Sequence, residues 1–303
     1  MKRSSTGGAV MKSPRRHFPF KHKIDPAWLK GVIAEALGED AARQDAATRL
    51  VVRRDARATA DLVLKDDGVV AGLSVFRAVF SCLDPSTRVV LKVEDGMWCA
   101  RGTVVARVSG RARSLLACER VALNFVQRMS GIATLTRRFA EQVSGTGVRI
   151  LDTRKTTPTL RPLEKYAVAV GGGFNHRANL AGLALIKDNH IVAAGGAAQA
   201  LRLAARARPR VLVEIEAGPE VDLEELGALP VDIVMLDNWP LKRLARAIRT
   251  ARRLPSRPLI EVSGRVRLEN VRRLAECGPD FISVGCLTHS APALDLSLEF
   301  EGR

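Results

Sequence analysis

The chain has 303 residues, 47% of them hydrophobic, enough to bury a large core in one or two domains. Its formal net charge of +16 suits nucleic acid, an anionic surface or anionic small molecules. No apolar run approaches the roughly 18 residues of a membrane span, and aromatics are 4% with a single Tyr166, so neither a membrane protein nor a base-stacking platform is expected. The five cysteines (Cys82, Cys99, Cys118, Cys277 and Cys286) are odd in number and form no CxxC. That argues against a disulfide framework or zinc site and for a reducing cytoplasm, with Cys118 and Cys286 as small core residues.

Residues 1–22 are basic and mostly small, and read as a disordered arm without the apolar core of a secretion signal. Asp25-Pro26 marks a helix start, with an acid at the cap and proline in the first turn, running to about Leu37. Strands are expected over 58–65 and 68–71, an amphipathic helix over 73–82, and strands over 89–93 and 103–108 around Asp95-Gly96. This small sheet-plus-helix unit carries no catalytic cluster of its own. From 112 to about 142, Leu115, Leu116, Val121, Leu123, Val126 and Met129 recur at helical spacing, and Gly131 is expected to interrupt the helix.

After Val148 the rhythm changes. Short apolar runs at 148–151, 183–186, 211–215, 233–236, 259–262 and 281–284 alternate with helical segments. Such alternation implies parallel strands with helical crossovers, six or seven units in an open sheet or a barrel. The arginine-rich segments 201–210 and 241–253 read as solvated helix faces.

Polar residues gather where these runs stop. The first run ends in Asp152, Arg154 and Lys155, the second in Lys187-Asp188, and the third carries Glu214 and Glu216. The fourth gives Asp237-Asn238, the fifth Glu261, Ser263 and Gly264, and the sixth Gly285. Five of six ends thus bear a polar side chain, which fits the carboxyl-end site of an α/β barrel better than the single switch point of an open sheet. Glu214 and Glu216, two apart, face one way. If Val213 and Ile215 face the helices, both acids face the interior and need a cation: Lys155, Lys187 or a hydrated Mg²⁺. A purely structural Lys–Glu network is the alternative. Three glycines, Gly171 to Gly173, precede Asn175, His176 and Arg177, and an arginine there can grip a carboxylate through two parallel hydrogen bonds. Ser263-Gly264 and Gly285 can offer backbone N–H groups to a phosphate. With no Cys–His or Ser–His–Asp order, the site reads as an electrostatic clamp for a small, highly anionic ligand.

The strings ERVALNF and RMSGIAT (119–134), DTRKTTP (152–158), EKYAVAVGGGFNHR (164–177), IKDNH (186–190), VEIE (213–216), MLDN (235–238), EVSG (261–264) and ISVGCLTHSAPALDLSL (282–298) closely resemble the quinolinate phosphoribosyltransferase family. They are spread over about two-thirds of the chain, in family order. The resemblance implies an α/β fold: an N-terminal open-faced α/β sandwich (23–118), an incomplete six- to seven-stranded α/β barrel (119–288), and a C-terminal segment (289–303) returning to the first domain. It also implies transfer of phosphoribosyl from phosphoribosyl pyrophosphate to quinolinate with decarboxylation, in NAD biosynthesis. Family roles carried onto this chain give the quinolinate carboxylates Arg154, His176 and Arg177, with Arg120 from the neighbouring subunit of a homodimer. Lys155 and Lys187 would lie near both substrates. Glu216 and Asp237 would hold the ribose hydroxyls and Mg²⁺. Lys155, Lys187, Glu216 and Asp237 form the implied catalytic set, and Ser263, Gly264 and Gly285 the implied phosphate cradle. Arg265 stands where the family usually has glycine and joins that cradle as a candidate. Competing readings are a same-fold paralogue acting on another pyridine or an unknown base, a nicotinate phosphoribosyltransferase needing fewer cations, and a basic nucleic-acid-binding protein resting on net charge alone.

Overall fold

Asp25 accepts a hydrogen bond from the Ala27 N–H at 2.9 Å and Pro26 enters the first turn, so helix α1 (Pro26–Glu39) begins where its cap dictates. The structure, a computed structural model, describes residues 18–19, 24–207 and 211–301. After α1 and the short α2 (Ala46–Val51) come β1 (Arg57–Leu64), β2 (Gly68–Val69), α3 (Leu73–Leu83), β3 (Arg88–Leu91), β4 (Trp98–Cys99) and β5 (Val104–Arg111). β1, β3 and β5 form an antiparallel sheet whose fourth strand comes from the far end of the chain: β12 (Leu296–Phe300) pairs with β1, giving the order β12-β1-β5-β3. β1 alternates as a one-sided strand should. Ala60, Leu62 and Leu64 are buried, while Asp61 pairs with its cross-strand partner Arg107 at 2.7 Å. β2 and β4 form a separate pair. Asp95 caps α3 by accepting the Gly72 and Leu73 N–H groups, and also accepts from the Tyr166 hydroxyl at 2.7 Å, tying this unit to the next.

Helix α4 (Ala112–Gln142) runs unbroken through Gly131, against the sequence expectation. The glycine answers a close approach: a Cβ there would lie 1.9 Å from the Pro292 carbonyl oxygen. The returning C-terminal segment crosses the helix at that point, so the residue makes room for backbone 161 positions away and does not end the helix.

Beyond α4 the elements alternate: β6 (Arg149–Leu151), α5 (Arg161–Val170), β7 (Ala184–Ile186), α6 (Asp188–Ala194), α7 (Ala197–Ala207), β8 (Val213–Ala217), β9 (Ile233–Asp237), α8 (Leu241–Arg252), β10 (Leu259–Ser263), α9 (Leu268–Glu276), β11 (Phe281–Ser283) and α10 (Cys286–His289). The six strands are parallel in the order β6-β11-β10-β9-β8-β7. Among the described residues β6 and β7 do not pair with each other, so the barrel is open along one seam. The segment after α5 fills it. Phe174 makes a single parallel bridge to Leu151, and Arg177 donates to the Leu183 carbonyl at 2.8 Å, just before β7.

Residues two apart face the same way along a strand, and the interior forms three layers. The lowest holds Leu183, Leu212, Ile233, Leu259 and Phe281. The middle holds Leu185, Glu214, Met235, Glu261 and Ser283; the upper rim holds Lys187, Glu216, Asp237 and Ser263. The intervening Ile215, Val234, Leu236, Ile260 and Ile282 pack outward against the helices. Leu244, Ala247, Ile248 and Ala251 bury one face of α8 and leave its arginines in solvent, as the sequence suggested. Two expectations need correction. Cys118 is buried, but Cys286 is only half-buried, because it opens α10 at the rim. The expected arm lies mostly outside the described residues, yet Phe18 within it is 7% exposed and packs into the lowest barrel layer. Its apolar ring finds a place among the strand-start side chains.

Candidate active site

The carboxyl ends of the strands surround a cavity of about 570 Å³. Its lining brings together Arg154, Lys155, His176, Arg177, Lys187, Glu216, Asp237, Ser263, Gly264 and Arg265 from the expected set. Gly285 borders it: a Cβ at that position would lie 3.2 Å from the Lys155 side chain. Arg120 is absent from the lining. It is exposed on α4, with its neighbours Val121 and Leu123 buried.

The loop after β6 is pinned from four sides. Asp152, fully buried, accepts from Lys165 Nζ at 2.5 Å, the His176 N–H at 2.8 Å and Asn175 Nδ2 at 2.7 Å. Glu164 accepts from the Thr157 N–H and hydroxyl and from Arg128. Thr288 of α10 donates to the Lys155 carbonyl at 2.8 Å. Arg161 reaches both walls, donating to the carbonyls of Arg154 and Ala178. These contacts fix the backbone from which Arg154 and Lys155 project, and the buried Arg154 Nε has no hydrogen-bond partner among the described residues.

The three glycines do not themselves line the cavity. A Cβ at Gly171 would lie 2.4 Å from the Ala133 carbonyl oxygen, and Gly172 has φ +94°. They let the chain turn tightly against α4 so that His176 and Arg177 enter the seam. The His176 Nε2 lies 3.0 Å from Glu214 and 3.5 Å from Glu261, both fully buried. Its Nδ1 accepts from the Arg177 N–H at 2.7 Å, which assigns the ring proton to Nε2. Burial disfavours a charged ring, but the two carboxylates outweigh it and pull the imidazole pKa up to about 10. The Nδ1 bond opposes the second proton, so the Nε2–H form is the one this geometry holds. Burial, then the charge of Glu261, pushes Glu214 up to about 7. Ser283 donates to Glu261, while Glu214 Oε1 and Glu261 Oε2 have no hydrogen-bond partner among the described residues. The sequence reading offered Glu214 a lysine or Mg²⁺; the structure gives it His176. The sequence reading names Glu261 at its strand end without a role and does not single out Ser283, although each sits two positions below a residue of the rim, the same spacing that singles out Glu214.

At the rim, Lys187 pairs with Glu216, and both remain partly exposed to the cavity. Asp237 accepts from Asn238 Nδ2 at 2.5 Å, and Asn238 takes φ +55°. Gly264 (φ +93°) is required there, since a Cβ would lie 2.4 Å from the Asn238 side-chain oxygen. Arg265 follows at φ +51°, an uncommon conformation for a non-glycine residue, and is exposed at the cavity edge. His176, Glu214 and Glu261 are close enough together to hold a metal ion, but the histidine is already engaged within the protein. Glu216 and Asp237 are the carboxylates that open onto the cavity, and hard oxygen donors beside a phosphate-sized space suit Mg²⁺. Arg154, Lys155, Arg177 and Lys187, with Arg265 at the edge, thus face two rim acids over a glycine-containing turn, an arrangement built to bind polyanions and stabilise charge.

Comparison with known proteins agrees with this geometry. Residues 45–130 match the family profile described as quinolinate phosphoribosyl transferase, N-terminal domain, and residues 132–299 match the C-terminal domain. A Synechocystis protein named "Probable nicotinate-nucleotide pyrophosphorylase (carboxylating)" is 40% identical over 91% of this chain and 92% of its own. The nicotinate-nucleotide pyrophosphorylase (carboxylating) of Mycobacterium leprae is 39% identical over 89% of this chain and 96% of its own. The crystal structure of NadC from Streptococcus pyogenes has a TM-score of 0.86 at 38% identity, covering 93% of this chain and 100% of that one.

Proposed function

The chain belongs to the quinolinate phosphoribosyltransferase family, and from that premise we infer the reaction its barrel-end cavity carries out. The enzyme transfers phosphoribosyl from phosphoribosyl pyrophosphate to quinolinate, releasing pyrophosphate and CO₂ and leaving nicotinate mononucleotide, a step of NAD biosynthesis. The observation that carries the reading is the convergence of Arg154, Lys155, Arg177 and Lys187 on one cavity opposite Glu216 and Asp237. One cation would suffice for a single carboxylate; quinolinate brings two, and its co-substrate brings a pyrophosphate and a 5′-phosphate.

The pyridine nitrogen attacks ribose C1 as the pyrophosphate oxygen departs with the bonding pair. The nitrogen becomes cationic. It then stabilises the electron pair left on the ring carbon when the adjacent carboxylate leaves as CO₂, and a proton replaces it. Arg154 and Arg177 would hold the carboxylates, with His176 forming the wall between them. Lys155 and Lys187 would neutralise the leaving pyrophosphate, and the Gly264–Arg265 turn with Ser263 and Gly285 would seat the 5′-phosphate. Glu216 and Asp237 would hold the ribose hydroxyls together with Mg²⁺, whose chemistry is to shield pyrophosphate charge. The protein's contribution is positioning and charge stabilisation. Mass spectrometry of the products formed with Mg²⁺, phosphoribosyl pyrophosphate and either quinolinate or nicotinate tests this. Leaving buried cations without their carboxylate costs on the order of 2–5 kcal/mol, so nicotinate should be turned over far more slowly. Comparable efficiency with both acids would overturn the substrate assignment.

The exposure of Arg120 outside its own cavity supports a homodimer in which it completes the partner's site. Arg120→Ala and Arg177→Ala dimers should each be nearly inactive. A purified mixed dimer has one site free of both lesions and should recover up to about half of wild-type activity. No recovery would remove Arg120 from the shared site. The five cysteines are all free, which supports a reducing compartment, the cytoplasm. No helix among the described residues is long and apolar enough to cross a membrane.

A further inference from the structure

We propose that Phe18 is a positioning residue for quinolinate binding: its ring is a stopper in the bottom of the open barrel, where it supports the His176 imidazole. The inference deepens the reading above and rests on it.

A barrel with six strands and an open seam supplies few side chains to its lowest layer. Here Leu183, Leu212, Ile233 and Phe281 leave room for one more ring, and Phe18 fills it at 7% exposure. Its ring stands edge-on to two others, 5.0 Å from Phe281 at 83° and 5.6 Å from His176 at 84°. Phe18 therefore touches a side chain that links the interior to the cavity wall. The His176 backbone is fixed independently, its N–H on Asp152 and its carbonyl on Lys165 Nζ at 2.9 Å. The ring itself is held by the Arg177 N–H on Nδ1 and by Glu214 on Nε2, and Phe18 packs edge-on against it from below, supporting that orientation.

The layer above gives the stopper a second task. Glu214 Oε1 and Glu261 Oε2 are buried with no hydrogen-bond partner among the described residues, and both carboxylates are held against His176 Nε2. Water reaching this layer would solvate those oxygens and loosen their hold on the imidazole. An apolar ring across the barrel floor keeps it out. His176 and Arg177 then keep their place in the wall that faces quinolinate. Ser263, Gly264 and Asp237 sit on the opposite strands at the rim and do not depend on this contact.

The test uses the full chain with Phe18→Ala and Phe18→Leu, measuring the KM of each substrate, kcat, and quinolinate affinity by calorimetry. Phe18→Ala should raise the quinolinate KM at least tenfold and leave that of phosphoribosyl pyrophosphate within about twofold. Phe18→Leu, still large enough to close the floor, should restore most of the loss. Equal shifts for both substrates, or a fall in thermal stability with no change in quinolinate affinity, would reduce Phe18 to core packing. If the alanine variant does not fold, Phe18→Val takes its place with the same criteria. A wild-type protein that binds no quinolinate would overturn the substrate assignment, an outcome separate from failure of the variants.

Discussion

Two buried charge clusters meet at His176 and are built on opposite rules. Its backbone belongs to the first, Asp152–Lys165–Asn175, in which every charged atom is matched. Lys165 Nζ bonds Asp152 and the His176 carbonyl, and Asn175 Nδ2 bonds Asp152 and the Lys165 carbonyl. Its ring belongs to the second, Glu214–Glu261–Ser283, in which two carboxylate oxygens accept no hydrogen bond among the described residues and Glu261 Oε2 has only the His176 ring, 3.5 Å away. A saturated cluster fixes a position and resists change. An unsaturated one holds its members in a field, and its protonation responds to what surrounds it. The first anchors the site loop; the second sets the charge of the cavity floor.

The sharpest way to break this contrast is Lys165→Met. It strands a buried Asp152, and loss of one partner of a buried pair costs about 3–5 kcal/mol. Urea unfolding should register that loss, and adding Asp152→Asn should recover part of it. A loss below about 1 kcal/mol would mean the saturated cluster is not the anchor.

A smaller effect is expected from pH. Glu214 titrates near 7 in the folded chain, above its ordinary 4.5, so the native state holds the extra proton between those values. Stability should then fall as pH rises from about 4.5 to 7, by up to about 3 kcal/mol. The comparison is between wild type and Glu214→Gln, whose slope should be shallower; parallel profiles would show that the second cluster does not titrate as described.

Smallest is Ser283→Ala, which removes the hydroxyl donor to Glu261. The expected cost is about 2 kcal/mol, typical of a hydrogen bond to a charged group. Stability unchanged in that variant would show that the Ser283 hydroxyl does not support the second cluster.

Much of the site could be read before the fold was known, because strand periodicity is local. Residues 214 and 216 share a face whatever the tertiary context, and the polar ends of β8, β9 and β10 followed directly. Carrying the same step of two downward from Ser263 and Gly285 reaches Glu261 and Ser283, so the middle layer was also within reach. Gly131 was misread for the opposite reason: within the helix it looks like a break, and its cause is a carbonyl contributed by Pro292. Phe18 was hidden likewise, since a basic, small-residue stretch gives no sign that one ring has a cavity to fill.

By itself, then, the sequence determined the alternation of strands and helices, the caps such as Asp25, and the placement of cations and acids at strand ends. These depend on bonds and spacings within a few residues. Only the tertiary structure decided that the barrel stays open between β6 and β7 and that the Gly171–Arg177 segment fills the seam. It alone gave the buried Glu214 a histidine for its partner and left Arg120 outside its own cavity. Those outcomes depend on which surfaces, far apart in the chain, compete for the same space and the same charge, and no local pattern encodes that competition.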